Sequence, residues 1–76
     1  MTIKKLHGSS KRMVKMGQAW ARCRGAAGLT QAALGTKLKL TGSYVSLIEA
    51  GKRVPDLRVV TDAAKAMKVE IKDLCP

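Results

Sequence analysis

The chain has 76 residues, enough for one small domain that buries only about 60% of the surface of its unfolded chain. Lysine and arginine total 15 against 5 acidic residues, which gives a net charge of +10. No stretch approaches the ~20 apolar residues of a membrane span. The single histidine has no second ligand at metal-binding spacing, and the chain lacks paired carboxylates and a glycine-rich phosphate loop. We therefore expect no enzyme, no metal and no cofactor.

The basic residues are concentrated toward the start of the chain. Residues 1–48 contain nine bases and no acid, whereas residues 49–76 contain six bases and all five acids, a net charge of +1. This asymmetry indicates that a polyanion meets the first two-thirds of the chain. The alternative is that the charges only keep the protein soluble.

Residues 1–9 have weak periodicity, so we expect a flexible basic arm, followed by a folded domain over residues 10–76. The arm either tracks a DNA backbone or groove or is simply disordered. Ser10 is a candidate cap for a first helix. The apolar side of this helix is predicted at Met13, Met16, Trp20, Cys23 and Ala27. Gly17 interrupts the stripe at a cost of about 1 kcal/mol relative to Ala, so the firmly helical part is expected to begin only there.

Two short helical patterns flank a tight break in the middle of the chain. Thr30 and Thr41 are predicted to cap them, and Gly51 is suited to end the second one in the left-handed conformation. The buried faces are predicted at Ala33, Leu34, Leu38, Val45 and Ile48. The outer face of the second helix is small or uncharged: Gly42, Ser43, Ser46, Leu47 and Ala50. This spacing describes a helix-turn-helix unit.

The remaining residues predict two more helices after a basic loop. Asp56 is predicted to cap the fourth helix. Its apolar residues are Leu57, Val60, Ala63, Ala64 and Met67. A short fifth helix is predicted to carry Val69, Ile71 and Leu74. The predicted fold is all-α, a compact bundle of about five short helices that contains the helix-turn-helix unit.

Three stretches in register carry a family resemblance. They are Gly-Leu-Thr-Gln at 28–31, Tyr-Val-Ser-Leu-Ile-Glu-Ala-Gly-Lys-Arg at 44–53, and Pro55. Any one of them is weak evidence, but together they are specific. From Gly17 to Leu74 the sequence resembles, without a gap, the Cro/C1-type helix-turn-helix family, which includes lambdoid phage repressors and bacterial regulators. The resemblance implies a lambda-repressor-like DNA-binding domain.

The resemblance also implies roles for individual residues, with the recognition helix at about residues 42–50. Base edges of double-stranded DNA are expected to meet Gly42, Ser43, Ser46 and Leu47. Phosphates are expected at Gln31, Lys39, Tyr44, Lys52 and Arg53. Arg24 and Glu49 match the family's basic residue on the first helix and its inward acid, so a partly buried salt bridge is expected between them.

Three departures from the family pattern bear on these roles. Gly35 stands where the family usually has Ala, and it still permits a close helix crossing. Lys39 stands where the family usually has Gly, so we expect a strained left-handed conformation with a side chain that can reach a phosphate. No Arg, Asn or Gln lies at the four base-edge positions. Specificity is therefore expected to depend partly on DNA shape, half-site spacing, and Arg53 or the arm. Alternatively, Ser43 and Ser46 are merely solvated.

The expected function is that of a sequence-specific DNA-binding transcriptional regulator, such as a phage or plasmid repressor or a restriction-modification controller. We expect a homodimer on a pseudo-palindromic operator, in the cytoplasm, with no membrane partner and no small-molecule ligand. The subunit contact is predicted at Val59, Val69, Ile71 and Leu74. The alternative for these residues, nearly as well supported for Val69 and Ile71, is that they close the core of the monomer.

A second function from a different class is an antitoxin-type interaction protein, which sequesters a toxin and autoregulates through the same DNA-binding domain. Such a protein should carry a segment beyond the DNA-binding domain to cover its partner. Only two residues follow Leu74, and the first residues of the chain are basic, so this alternative is disfavoured.

Overall fold

The computed structural model describes residues 11–75 and contains five helices. Their bounds are α1 Lys11–Ala26, α2 Gln31–Lys37, α3 Gly42–Glu49, α4 Leu57–Met67 and α5 Ile71–Leu74. No strand occurs in residues 11–75, so the all-α prediction is confirmed. The predicted arm at residues 1–9 and the predicted cap Ser10 lie outside the described residues.

Hydroxyl and carboxylate caps begin three of the helices. Thr30, Thr41 and Asp56 each accept a hydrogen bond from the backbone N–H three residues later, at 2.9–3.1 Å. Each cap satisfies a donor that the first turn of a helix would otherwise leave unpaired, an effect of about 1 kcal/mol. All three caps were predicted from the sequence and are confirmed.

Backbone positions with positive φ separate the helices. Gly28 and Gly51 have φ of 74° and 75°, as expected for residues that follow a helix. Lys39 has φ of 59°, which confirms the left-handed conformation expected at the turn between α2 and α3. Lys68 ends α4 with φ of 58°, a second strained lysine that the sequence did not reveal.

The core draws at least one side chain from every helix. Its largest fully buried side chains are Trp20, Leu34, Val45, Ile48 and Leu74. α4 contributes Val60, Ala63, Ala64 and Met67. Burial of each large side chain stabilises the fold by roughly 1.5–3 kcal/mol. Trp20, which was predicted on the apolar side of α1, is completely buried.

Three expectations about packing are wrong. α1 is continuous from Lys11, so it does not begin at Gly17. Leu57 is 72% exposed, so it does not belong to the buried side of α4. Leu74, which was predicted at a subunit contact, is completely buried in its own chain, because α5 packs against α1 and α4 and directs this side chain into the core.

Two features are absent from the described part of the chain. No helix within residues 11–75 combines the length and the apolar character needed to cross a membrane. The same residues contain no group of three or more His, Cys, Asp or Glu side chains that could hold a metal ion.

Candidate nucleic-acid interface

The carboxyl end of α3 lies directly against the backbone of α1 at Gly17. A Cβ atom at Gly17 would lie 2.5 Å from the carbonyl oxygen of Ile48 and 2.6 Å from that of Glu49. These separations are shorter than any side chain tolerates, so only glycine fits. Gly17 is therefore a close-contact position that fixes the crossing of α1 and α3.

A hydrogen-bonded network centred on Glu49 secures the same end of α3. Arg24 donates from Nε to Glu49 Oε2 at 2.6 Å and from Nη2 to Oε1 at 3.0 Å, so the expected ion pair is present. Gln31 Nε2 donates to Glu49 Oε1 at 2.9 Å, and Arg24 Nη1 donates to the carbonyl of Leu29 at 2.8 Å. One carboxylate thus joins α1, the start of α2 and α3.

The Glu49 carboxylate is mostly shielded from water, since its side chain is only 8% exposed. Its hydrogen bond raises the pKa of the Arg24 guanidinium above the ordinary value, against the opposing effect of burial. Arg24 therefore remains charged, and Glu49 has three donors around its two oxygens. Paired in this way, neither group leaves a buried charge uncompensated.

The amino end of α3 is positioned by a second close crossing. A Cβ atom at Gly35 of α2 would lie 2.5 Å from the carbonyl carbon of Thr41 and 2.7 Å from its oxygen. Leu40 also donates its backbone N–H to the carbonyl of Gly35 at 2.7 Å. Glycine is therefore required at position 35, where the family usually has alanine. The turn before α3, with Lys39 at positive φ, approaches α2 more closely than alanine would allow.

The outer face of α3 points away from the core. Ser43 and Ser46 are exposed, and Leu47 is 40% exposed, whereas Val45 and Ile48 on the opposite face are buried. Gly42 is half-buried, and a Cβ atom there would lie 3.0 Å from the Cα atom of Ala32 in α2. Of the four predicted base-edge positions, three therefore present a side chain to solvent, and Gly42 lies against α2.

The residues predicted to meet phosphates fall into two settings. Lys39, Lys52 and Arg53 are exposed in the turns that precede and follow α3. Tyr44 is half-buried and packs against the core, and the guanidinium carbon of Arg53 lies 5.3 Å from the centroid of its ring. This cation–π contact joins the first turn of α3 to the loop beyond its end. Gln31 has one amide donor committed to Glu49, and its role toward phosphate stays a prediction.

Sequence reasoning missed three features of this surface: the close contact at Gly17, the hydrogen bond from Gln31 to Glu49, and the stacking of Arg53 on Tyr44. A glycine inside an otherwise regular helical stripe was the available signal for the first, since such a residue often marks a close approach. The other two contacts join residues 18 and 9 positions apart and follow from the tertiary fold, so no local pattern reveals them.

Comparisons with known proteins agree with this geometry. A family model described as a helix-turn-helix domain matches residues 16–74. The restriction-modification controller protein C.AhdI from Aeromonas hydrophila is 35% identical, with 82% of this chain and 94% of that chain covered and a TM-score of 0.77. No curated protein matches the chain.

Two structures of the clp gene regulator ClgR from Corynebacterium glutamicum are also similar. They are 19% and 18% identical, with TM-scores of 0.77 and 0.80. The alignments cover 82% and 88% of this chain, and 66% and 86% of the ClgR chains. At this identity the likeness shows the fold alone.

Proposed function

The chain belongs to the helix-turn-helix domain family, and on this basis we propose that it is a sequence-specific transcriptional regulator that binds a pseudo-palindromic operator as a homodimer. It has the fold of DNA-binding regulators and is not an enzyme. In the proposal, α3 enters the major groove, and the protein acts in the cytoplasm as a repressor or autoregulator. The observation that carries the proposal is the exposed outer face of α3, held at both ends by close helix crossings.

Base reading is assigned to Ser43, Ser46 and Leu47. Both hydroxyls can donate or accept, so each fits more than one base edge, and Leu47 suits the methyl group of thymine. A bidentate pair from Arg, Asn or Gln, worth about 1–3 kcal/mol of discrimination, is not available at these positions. We therefore assign part of the specificity to DNA shape and to the spacing of the half-sites.

Phosphate binding is assigned to Lys39, Lys52 and Arg53, with Tyr44 and Gln31 at the edge of the same surface. The charge distribution supports this assignment, because residues 11–48 contain no acid. The negative charge of Glu49 does not cancel the positive charge of these three residues, since its carboxylate is already hydrogen-bonded to Arg24 and Gln31. A surface of this kind supplies the salt-dependent part of the affinity for DNA.

Dimerisation is assigned to the edge formed by α4 and α5. A shallow groove there has a mainly apolar surface, and its lining residues are Thr61, Ala64, Lys65, Lys68, Val69, Glu70, Ile71 and Lys72. Ile71 is 41% exposed, whereas Val59 and Val69 are half-buried against the core. Of the predicted contact residues, Ile71 thus offers the largest apolar surface to a second copy, and a 76-residue chain gains stability from such burial.

The proposal is tested by selecting bound sites from random duplex DNA and titrating the selected site against a scrambled duplex at two salt concentrations. We expect a palindromic site bound at least ~10³-fold more tightly than the scramble. Equal and steeply salt-dependent binding to both duplexes would overturn sequence-specific regulation. In that case the net charge alone holds the DNA, and a search for a protein partner follows.

The groove assignment is tested with the double variant Ser43→Ala/Leu47→Ala. We expect it to bind the selected site and the scramble with similar affinity, while non-specific affinity stays close to wild type. Leu57→Ala, which shortens an exposed leucine on α4, is the control and should preserve the preference. Unchanged preference in the double variant would show that another surface reads the bases.

The dimer is tested with Ile71→Glu, which places a charge on the proposed contact. Sedimentation equilibrium should show a dimer for wild type and a monomer for the variant, and the variant should bind a two-half-site operator at least ~10-fold more weakly, since the second half-site no longer adds binding energy. As the control, Leu57→Glu introduces the same charge at an exposed position of α4. A monomeric wild type, or an Ile71→Glu dimer, would contradict the assignment.

A further inference from the structure

The outer face of α1 carries three basic side chains and one glutamine in a row, and none of them belongs to the surface around α3. Lys11, Lys15, Gln18 and Arg22 follow one another at i, i+4, i+7 and i+11, so they lie along one side of the helix, and all four are exposed. The opposite side carries Trp20 and packs on the core. From Lys11 to Arg22 this row, which we call the α1 track, is roughly 16 Å long at 1.5 Å per residue.

The α1 track is not balanced by acids. α1 contains no Asp or Glu, and the ion pairs formed within residues 11–75, Arg24–Glu49 and Lys72–Glu70, include none of its members. Lys11 and Lys15 are like charges one helical turn apart, an arrangement that destabilises a helix in the absence of counter-charge. The track therefore suits an anionic partner better than open solvent.

α4 provides an internal comparison at the same spacing. Arg58, Asp62 and Lys65 stand at i, i+4 and i+7 and are exposed, but their charges alternate in sign. Such alternation is typical of a solvated helix face. The α1 track has the same exposure and periodicity without alternation, so general solubility does not account for its uniform sign.

α1 is rigidly attached to the helix that reads DNA. Gly17 touches the carbonyls of Ile48 and Glu49, and Arg24 binds the Glu49 carboxylate, so α1 crosses α3 at its carboxyl end. A recognition helix inserts its first residues deepest, which leaves its carboxyl end toward the rim of the groove, where the phosphates run. Because of this crossing, α1 is carried to the rim whenever α3 occupies the groove.

We propose that the α1 track is a second phosphate-binding surface, which contacts the DNA backbone flanking the groove that α3 enters. This inference rests on the proposed function and adds Lys11, Lys15 and Arg22 to its DNA contacts. Duplex DNA presents one negative charge about every 1.7 Å along its axis, so a track of this length passes several phosphates. The contact is independent of sequence and extends the footprint beyond the bases that α3 reads.

The test compares the triple variant Lys11→Gln/Lys15→Gln/Arg22→Gln with Lys11→Arg/Lys15→Arg/Arg22→Lys, which keeps every charge. Binding is measured at several salt concentrations on a duplex of about 40 base pairs that carries the selected site, and on the same site with its flanks removed. If selection yields no site, a random duplex of the same length is used. Circular dichroism checks that the Tm of the neutral variant is equal to or above that of wild type.

On the long duplex, the slope of log affinity against log salt should fall by about 2–3 per bound subunit in the neutral variant, since each lost phosphate contact contributes about 0.9. The charge-preserving variant should match wild type, and the trimmed site should show a smaller difference. Arg58→Gln, a single charge loss on α4, should change the slope less than Arg22→Gln does.

Equal slopes for wild type and the neutral variant on the long duplex would overturn the inference. Complexes with two duplexes per dimer that disappear in the neutral variant would also overturn it, because the track would then bridge separate DNA molecules. Failure of the proposed function gives a different result, namely a wild-type protein without site preference, whatever the slope of the variant.

Discussion

Both ends of α3 are positioned by a close backbone contact at a glycine, but the carboxyl end is held by more interactions than the amino end. At the carboxyl end, the backbone of α3 meets Gly17 of α1, and at the amino end the turn before α3 meets Gly35 of α2. The carboxyl end is further held by the Arg24–Glu49 pair and Gln31, whereas the amino end follows a turn with Lys39 at positive φ.

This difference assigns the orientation of α3 within the domain to its carboxyl end, and the insertion of α3 into the DNA groove to its amino end. The carboxyl end, where three helices share one carboxylate, fixes the direction of α3 within the domain. The amino end, which in the proposed complex reaches the bases, depends on a close backbone contact and on a turn that costs free energy at a non-glycine residue. Substitutions at the two ends should therefore have separable effects on stability and on DNA binding.

The largest effects are expected at the two glycine crossings. Gly17→Ala or Gly35→Ala should each reduce the free energy of unfolding by about 2–3 kcal/mol, because the new Cβ atom meets backbone that cannot move aside. This loss exceeds the gain of about 1 kcal/mol in helix propensity. Urea denaturation followed by circular dichroism measures both variants.

Gly25→Ala is the matched control on α1, since no atom beyond its chain neighbours and the backbone of its own helix lies within 4 Å of the new Cβ position. It should raise the free energy of unfolding by about 0.5–1 kcal/mol. If Gly17→Ala were as stable as Gly25→Ala, the close contact between α1 and α3 would not exist in solution.

A smaller loss of stability is expected when the hydrogen-bonded network around Glu49 is broken by a side chain of the same shape. Glu49→Gln should lower the free energy of unfolding by about 2 kcal/mol, because the amide leaves the Arg24 charge unpaired and provides one acceptor oxygen for three donors. Glu70→Gln removes a carboxylate from an exposed pair with Lys72, 3.7 Å apart, and should cost less than about 0.5 kcal/mol. Equal losses in the two variants would show that the Glu49 network is open to water.

The secondary structure was largely predictable, because its determinants are local. Thr30, Thr41 and Asp56 carry capping side chains immediately before apolar periodic segments, and Gly28 and Gly51 stand where helices end. Leu57 and Leu74 were misplaced for a different reason. Both residues do lie in an apolar helical stripe, as predicted. Which residues of a stripe are covered by neighbouring helices, however, depends on the tertiary packing.

The candidate site was predictable as a set of positions but not as a set of contacts. The family resemblance identified Arg24 and Glu49 as a pair, and it located the exposed face of α3 at Ser43, Ser46 and Leu47. It did not reveal that Gln31 joins the pair, because that hydrogen bond depends on how α2 meets the end of α3. Whether the exposed residues touch DNA stays a prediction.

The strained turn at the amino end allows stability and binding to be separated. Lys39→Gly should raise the free energy of unfolding by about 0.5–1 kcal/mol, since glycine adopts φ of 59° without a steric cost. The same variant should weaken DNA binding and lower the salt slope by about 0.9 per bound subunit through the loss of a phosphate contact. Lys68→Gly relieves the same strain at φ of 58° on α4, away from α3, and should leave DNA binding unchanged. Equal DNA binding by wild type and Lys39→Gly would remove Lys39 from the interface.

The smallest expected effect concerns the contact that links the two ends of α3. Tyr44 in the first turn stacks under Arg53 beyond the last turn, at 5.3 Å from ring centroid to guanidinium carbon. If the ring orients the guanidinium toward a phosphate, the loss of either side chain removes part of the benefit of the other. A double-mutant cycle of Tyr44→Leu and Arg53→Ala should give a coupling of about 0.5–1 kcal/mol in DNA affinity, the range for an exposed cation–π pair.

Two further variants separate positioning from direct contact in this cycle. Tyr44→Phe keeps the ring and should retain the coupling with Arg53, whereas any hydroxyl contact of Tyr44 with the DNA backbone would be lost independently of Arg53. Tyr44→Leu combined with Lys52→Ala should be additive, because the observed stacking involves Arg53. Additive losses for Tyr44 and Arg53 would mean that the two ends of α3 engage the DNA independently, and that the loop after α3 is held by the DNA rather than by the ring.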